Sequence, residues 1–166
     1  MAKKLYLLRH ARASEKLNGE TDFDRNLTSV GLQNATRMGI NLKNKDIHPD
    51  IIISSPAMRA KTTAALLAEQ IKYDVKKIHL NEEIYEASAR TLLKVINNLK
   101  KPWQTVLLVG HNPSLSYVAE YITNEPIGNM STCGLVEIQF EEDTWEVVSE
   151  NNGTFNWYEY PELLNF

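Results

Sequence analysis

Polar and apolar positions follow two patterns along this chain. Short unbroken apolar runs occur at Leu5-Tyr6-Leu7-Leu8, Ile51-Ile52-Ile53 and Thr105-Val106-Leu107-Leu108-Val109. Such runs, bounded by polar residues, predict strands buried on both faces. A further strand is expected over Val75 to Leu80. Between the runs, apolar residues return at helical spacing. Thr28 is a good N-cap for a helix presenting Leu32, Ala35, Met38, Ile40 and Leu42. Ser55 with Pro56 at the first helical position predicts a helix through Ala64, Leu67, Ala68 and Ile71. Ser88 opens one carrying Leu92, Leu93, Val95, Ile96 and Leu99, and Asn112-Pro113 opens one carrying Leu115, Val118, Ala119 and Ile122. The pattern then changes. Gly134 to Phe140 and Trp145 to Val148 read as a hairpin around Glu141-Glu142-Asp143-Thr144, and the aromatic stretch from Asn156 to Phe166 is expected to pack on the outside. Strand and helix alternate until that terminal hairpin. This predicts a three-layer α/β/α fold with a mostly parallel central sheet and an antiparallel edge at the C-terminal end.

No repeat, low-complexity tract or linker interrupts the 166 residues, so one domain over 1–166 is expected. Hydrophobic residues make up 43% and charged residues 23%, an ordinary composition for a soluble globular protein. The net charge of −3 gives no electrostatic case for nucleic-acid binding. No apolar run approaches the length of a membrane span. The start, Met1-Ala2-Lys3-Lys4, runs directly into a strand without the features of a secretory leader, so a cytoplasmic location is the expectation. One cysteine, Cys133, cannot form an internal disulfide and reads as a small core residue.

The candidate chemistry lies where strands end. Arg9-His10 closes the first strand, Ser54-Ser55-Pro56-Ala57-Met58-Arg59 follows the second, and Gly110-His111-Asn112-Pro113 follows the fourth. Each string alone is an ordinary strand-to-helix turn. Parallel strands, however, present their carboxyl ends to one crevice, where ligands bind. Arg9, His10, Arg59 and His111 therefore converge. Arg59 sits where a cation faces an unfavourable helix dipole, a placement that makes sense with an anion beside it. Two guanidiniums suit bidentate phosphate binding, and a neutral imidazole can attack phosphorus. His48 and His79 fall in a return loop and a strand and are not expected to join. No His-x-x-x-His or His-Glu-x-x-His spacing occurs, so neither metal nor cofactor is predicted.

Leu7-Leu8-Arg9-His10-Ala11, Asp24-Arg25-Asn26-Leu27-Thr28-Ser29-Val30-Gly31, the Ser54 to Ala64 segment and Val109-Gly110-His111-Asn112-Pro113 resemble the histidine phosphatase (phosphoglycerate mutase-like) superfamily, in particular its short SixA branch. The resemblance implies phosphohistidine phosphatase activity through a covalent intermediate on His10. It implies that Arg9, Arg59 and His111 complete the phosphate pocket, with Arg25 reaching it from its loop. Ala11 stands where glycine is common in the superfamily, and Asn26 where proline often precedes Leu-Thr. Larger members place a glutamate after the third strand. Glu82 fits that position best, with Glu83 and Glu86 as alternatives for a general acid, and all three also read as solvated loop carboxylates. Helix, strand and helix fill the span between Arg59 and Gly110, which leaves no room for a large lid. The expected partner is a phosphohistidine protein or a small phosphoester. The rival readings are a small-molecule phosphomonoesterase, a phosphoglycerate mutase-like phosphotransferase and a noncatalytic phosphate-binding module.

Overall fold

The structure, a computed structural model, describes residues 2–164. Its strands are β1 Lys3–Arg9, β2 Ile51–Ser54, β3 His79–Leu80, β4 Thr105–Gly110, β5 Leu135–Phe140 and β6 Thr154–Glu159. They form one sheet in the order β3-β2-β4-β1-β5-β6. The first four in that order are parallel, while β5 is antiparallel to β1 and β6 antiparallel to β5. The helices are α1 Ser29–Asn44, α2 Met58–Gln70, α3 Ala89–Asn97, α4 Ser114–Thr123 and the short α5 Pro161–Leu164. This is the three-layer fold with a C-terminal antiparallel edge that the sequence predicts. Among the described residues no helix is long and apolar enough to cross a membrane.

The unbroken apolar runs serve both faces of the sheet. Leu5 and Leu7, in register with Val106 and Leu108 on one side and Ile138 and Val136 on the other, build a core with α3 and α4. Tyr6 and Leu8, beside Leu107, Val109 and Leu135, build a second core with α1 and α2. The two helix pairs therefore lie on opposite faces. The chain leaves β1 toward the α1 face and leaves β4 toward the α4 face, although β1 and β4 are neighbours. Such a divergence opens a crevice at the carboxyl ends of the two strands, the usual ligand site of open α/β sheets.

Several elements differ from the sequence reading. The third strand is only His79–Leu80, because Val75–Lys77 forms a 3-10 turn in which the Asp74 side chain accepts from the Lys76 N–H. The expected second arm of the hairpin, Trp145 to Val148, is also mainly a 3-10 turn (Trp145–Val147). Trp145 is fully buried, packs edge-on against Phe140 and donates its Nε1–H to the Trp103 carbonyl, which a strand beside β5 would not allow. The partner of β5 is instead Thr154–Glu159, so part of the aromatic tail is an edge strand; residues 165 and 166 lie outside the described range. Helix α1 buries Gly31, Ala35, Met38, Gly39 and Leu42 and exposes Leu32 and Ile40. Gly39 explains the shift of face: a Cβ there would meet Gln70 at 2.9 Å and the Leu67 Cα at 3.0 Å, so its hydrogen lets α1 and α2 pack closely.

Candidate active site

The backbone binds the strand ends together. The His10 N–H donates to the Gly110 carbonyl (3.1 Å), the His10 carbonyl accepts from Cys133 (3.0 Å), and the Arg9 N–H donates to Gly134 (2.9 Å). Thr63 on α2 ties the same strand end to the helix bearing Arg59, since its hydroxyl accepts from the Ala11 N–H and donates to the Arg59 carbonyl. Arg9 donates one Nη1–H to the Met130 carbonyl at 2.7 Å, while its Nε is buried without a partner. Asn112 and Ser116 hold the segment around Met130 from the other side, through the Asn112 amide to the Met130 carbonyl and the Met130 N–H to the Ser116 hydroxyl. Asn112 does not cap its helix as expected, since α4 begins at Ser114 and its side chain is engaged in the site. Helix α2 begins at Met58, and Ser55 both accepts from the Ala57 N–H ahead of it and meets His111.

His10 and His111 are nearly buried, with ring centroids 5.2 Å apart. His10 Nδ1 lies 2.7 Å from the Ala11 carbonyl oxygen, which can only accept. Nδ1 therefore carries the hydrogen and Nε2 the lone pair. Burial lowers the His10 pKa to about 4; the Ala11 bond opposes this, and the Arg59, Arg9 and Arg25 charges add to it. Burial likewise lowers His111 to about 3, helped by the His10 and Arg59 charges. Both rings are neutral at neutral pH. The Ser55 hydroxyl accepts from the Ala57 N–H, so its own hydrogen is available to His111 Nε2 at 2.8 Å. With the hydroxyl donating there, His111 Nδ1 is the N–H, and that atom is buried and without a partner. Buried donors left unpaired are uncommon and call for a ligand. Arg9 Nε and His111 Nδ1 are two such atoms, and the Arg9, Arg59 and His111 side chains all lie close enough to His10 to act on its ring.

Arg59, near the start of α2 and nearly buried, donates to the Asp22 carbonyl at 2.8 Å and to its carboxylate at 3.1 Å. The anion that the helix-dipole argument asks for beside Arg59 is, in this structure, Asp22. Arg25 joins the same carboxylate at 2.9 Å and donates Nε–H to the Ser14 carbonyl. The Tyr85 hydroxyl donates to it at 2.7 Å. Hydrogen bonds from Tyr85 and Arg25, with the Arg59 charge, hold Asp22 well below the usual carboxylate range. Burial, with the Asp22 bond and charge, pushes the Tyr85 phenol up to about 12. Arg25 thus meets the site through Asp22, which stands between it and Arg59.

A profile of the histidine phosphatase superfamily (branch 1) matches residues 5–91, which span Arg9, His10, Arg25, Arg59 and Glu82. The chain belongs to the histidine phosphatase superfamily. That membership, together with a solved SixA neighbour at 28% identity, makes it a phosphatase. The phosphatase superposes on SixA from Agrobacterium tumefaciens with a TM-score of 0.80 and 28% identity, over 96% of this chain and 98% of that one. It superposes on the protein histidine phosphatase SixA complexed with tungstate with a TM-score of 0.84 and 21% identity, over 97% and 99% of the chains. A protein of Mycobacterium leprae is 30% identical over 125 residues, 74% of this chain and 74% of its own.

Within this phosphatase, Arg9, His10, Arg59 and His111 are brought together. Glu82 is exposed at the start of the 3-10 turn Glu82–Ile84, where its carbonyl accepts from the Tyr85 N–H. Glu83 and Glu86 are exposed as well. The residue of that window that reaches the site is Tyr85, whose ring packs edge-on against His111 at 5.7 Å. His48 pairs with Asp46 in an exposed loop, and His79 is exposed on β3. Among the described residues no three His, Cys, Asp or Glu side chains gather as a metal site. Sequence reasoning missed Asp22, Ser55, Thr63 and Tyr85. Tyr85 had a signal, an aromatic residue in a window read only for its carboxylates.

Proposed function

We propose that this phosphatase hydrolyses phosphohistidine on a protein through a phosphorylated His10, with arginines rather than a metal ion meeting the charge of the phosphoryl group. One observation carries the reading: His10 Nδ1 is committed to the Ala11 carbonyl, so the neutral Nε2 is left as the nucleophile among Arg9, Arg59 and His111. In the first step Nε2 attacks phosphorus in line. The bond from phosphorus to the substrate nitrogen breaks, and the departing imidazole, already protonated on its other ring nitrogen, keeps the electron pair and leaves as a neutral ring. Water then attacks the phosphorylated His10, which releases inorganic phosphate and restores the ring. The transferring group spreads its charge over three oxygens, so positioned cationic and neutral donors supply most of the catalysis. The Arg9 and Arg59 guanidiniums and the His111 ring are the side chains placed to supply them. A protonated nitrogen leaves readily without a strong general acid, which suits a site whose glutamates stand in exposed positions. The name of the Agrobacterium tumefaciens neighbour points to the same substrate class.

The test is turnover of a radiolabelled phosphohistidine protein with chelator present. The expected result is release of inorganic phosphate and transient label on the enzyme that is acid-labile and alkali-stable. His10→Ala should remove both while the circular dichroism spectrum is retained. Turnover by His10→Ala, or dependence on added metal, would overturn the reading. Net transfer of phosphate to a second small molecule, in place of release, would favour the phosphotransferase alternative.

A further inference from the structure

Four rings run in a row from the reacting nitrogen to the protein surface. His10 and His111 centroids are 5.2 Å apart, His111 and Tyr85 5.7 Å, and Tyr85 and Phe23 5.2 Å. Tyr85 meets both His111 and Phe23 edge-on, at 70° and 87°. Phe23 is the outermost ring and is 37% exposed, a large apolar side chain in the polar segment Thr21-Asp22-Phe23-Asp24-Arg25. Its place is imposed by its neighbour. The Asp22 carboxylate is gripped by Arg59, Arg25 and the Tyr85 hydroxyl, so the loop is pinned with the next side chain against the rim. Core burial does not account for this arrangement, because the segment Asp22–Asp24 contains no buried residue.

We infer that Phe23 and Tyr85 form the wall against which the substrate's leaving group lies, and that they select a planar aromatic group, the imidazole of phosphohistidine. This rests on the function proposed above. In-line attack from His10 sends the leaving group out on the far side of phosphorus, away from the nucleophile and toward the mouth of the crevice. The ring row ends at that mouth. An imidazole there gains ring-to-ring contact that an aliphatic amine or alcohol cannot make. Aromatic pairs of this kind are worth roughly a two- to tenfold preference. Phe23 touches neither the phosphoryl group nor the nucleophile in this scheme, so its contribution depends on the leaving group alone.

The experiment compares kcat/KM for free phosphohistidine, free phospholysine, p-nitrophenyl phosphate and an alkyl phosphate in the normal enzyme, Phe23→Leu and Phe23→Tyr, with a phosphohistidine protein assayed alongside these four. Phe23→Leu should lose about three- to tenfold on phosphohistidine and p-nitrophenyl phosphate and stay within about twofold on the two aliphatic substrates. Phe23→Tyr should restore the aromatic substrates. Equal loss on all four substrates, or loss on none, would overturn the inference. So would a loss confined to a phosphohistidine protein with free phosphohistidine unchanged, since Phe23 would then dock the polypeptide. A normal enzyme that hydrolyses p-nitrophenyl phosphate but neither phosphorus–nitrogen substrate removes the proposed function. The comparison of aryl with alkyl phosphate in Phe23→Leu would still decide the wall.

Discussion

An imidazole attacks phosphorus only through an unprotonated nitrogen, and at His10 two features secure that nitrogen. The Ala11 carbonyl holds the hydrogen on Nδ1, and burial among guanidiniums lowers the pKa to about 4. An exposed histidine would already be half protonated near pH 6.5. The acid limb of kcat/KM, corrected for ionisation of the substrate, should therefore fall near pH 4. A stopped assay on p-nitrophenyl phosphate between pH 3.5 and 8 would measure it. A limb close to 6.5 would mean that His10 is solvated in the working enzyme. The residues of this core were legible in the sequence because each stands at a strand end or, like Arg59, in the first turn of the helix that follows one, where position alone implies a shared crevice. Asp22 and Tyr85 were not. They meet Arg59 and His111 only across the tertiary fold, from segments with neither periodicity nor a cap to mark them.

At the scale of elements, the same polar residues serve two ends, and the sequence shows only one of them. Ser55 and Asn112 stand where helix caps are expected, and the structure engages their side chains in the site. The Ser55 hydroxyl joins the end of β2 to His111 at the end of β4, and in the proposed mechanism it donates to Nε2 and so keeps the His111 hydrogen on Nδ1. Ser55→Ala should thus free the tautomer of His111 and lower kcat by about two- to tenfold, the worth of one hydrogen bond. Ser55→Thr, which keeps the hydroxyl, should recover most of the rate, and the His111 ring nitrogen shifts in NMR should report the tautomer directly. A normal rate in Ser55→Ala would assign the bond to packing alone. Elsewhere the misread elements share one cause. Trp145 and Val147 stand at strand-like spacing, and Val75–Lys77 leads into the alternating Ile78 and Leu80, but side-chain caps from Asp74 and Thr144 close both segments into 3-10 turns. Local hydrogen bonds of that kind compete with the ladder and leave little trace in hydropathy.

Across the whole molecule, the parallel strands and the opposed helix pairs were readable because runs buried on both faces and helical repeats are strong signals. The same topology places two neutral histidines where the chains diverge from β1 and β4, and this links the site to global stability. Unfolded histidines titrate near pH 6.5, whereas folded His10 and His111 titrate near 4 and 3. Between those values the unfolded chain takes up protons that the folded chain refuses. Stability is therefore fully present above about pH 6.5 and falls as pH drops toward the folded values, by up to about 3 kcal/mol for His10 and about 5 kcal/mol for His111. Urea unfolding followed between pH 7.5 and 4.5 should show this slope. The double variant His10→Gln, His111→Gln should fall less steeply over the same interval, since the carboxylates common to both proteins contribute equally. Saturating phosphate should also flatten the slope, because a bound oxyanion favours the protonated rings and binds the folded state alone. Parallel slopes for the two proteins would show that the rings are solvated enough to titrate normally, and the crevice would then be wetter than its burial implies.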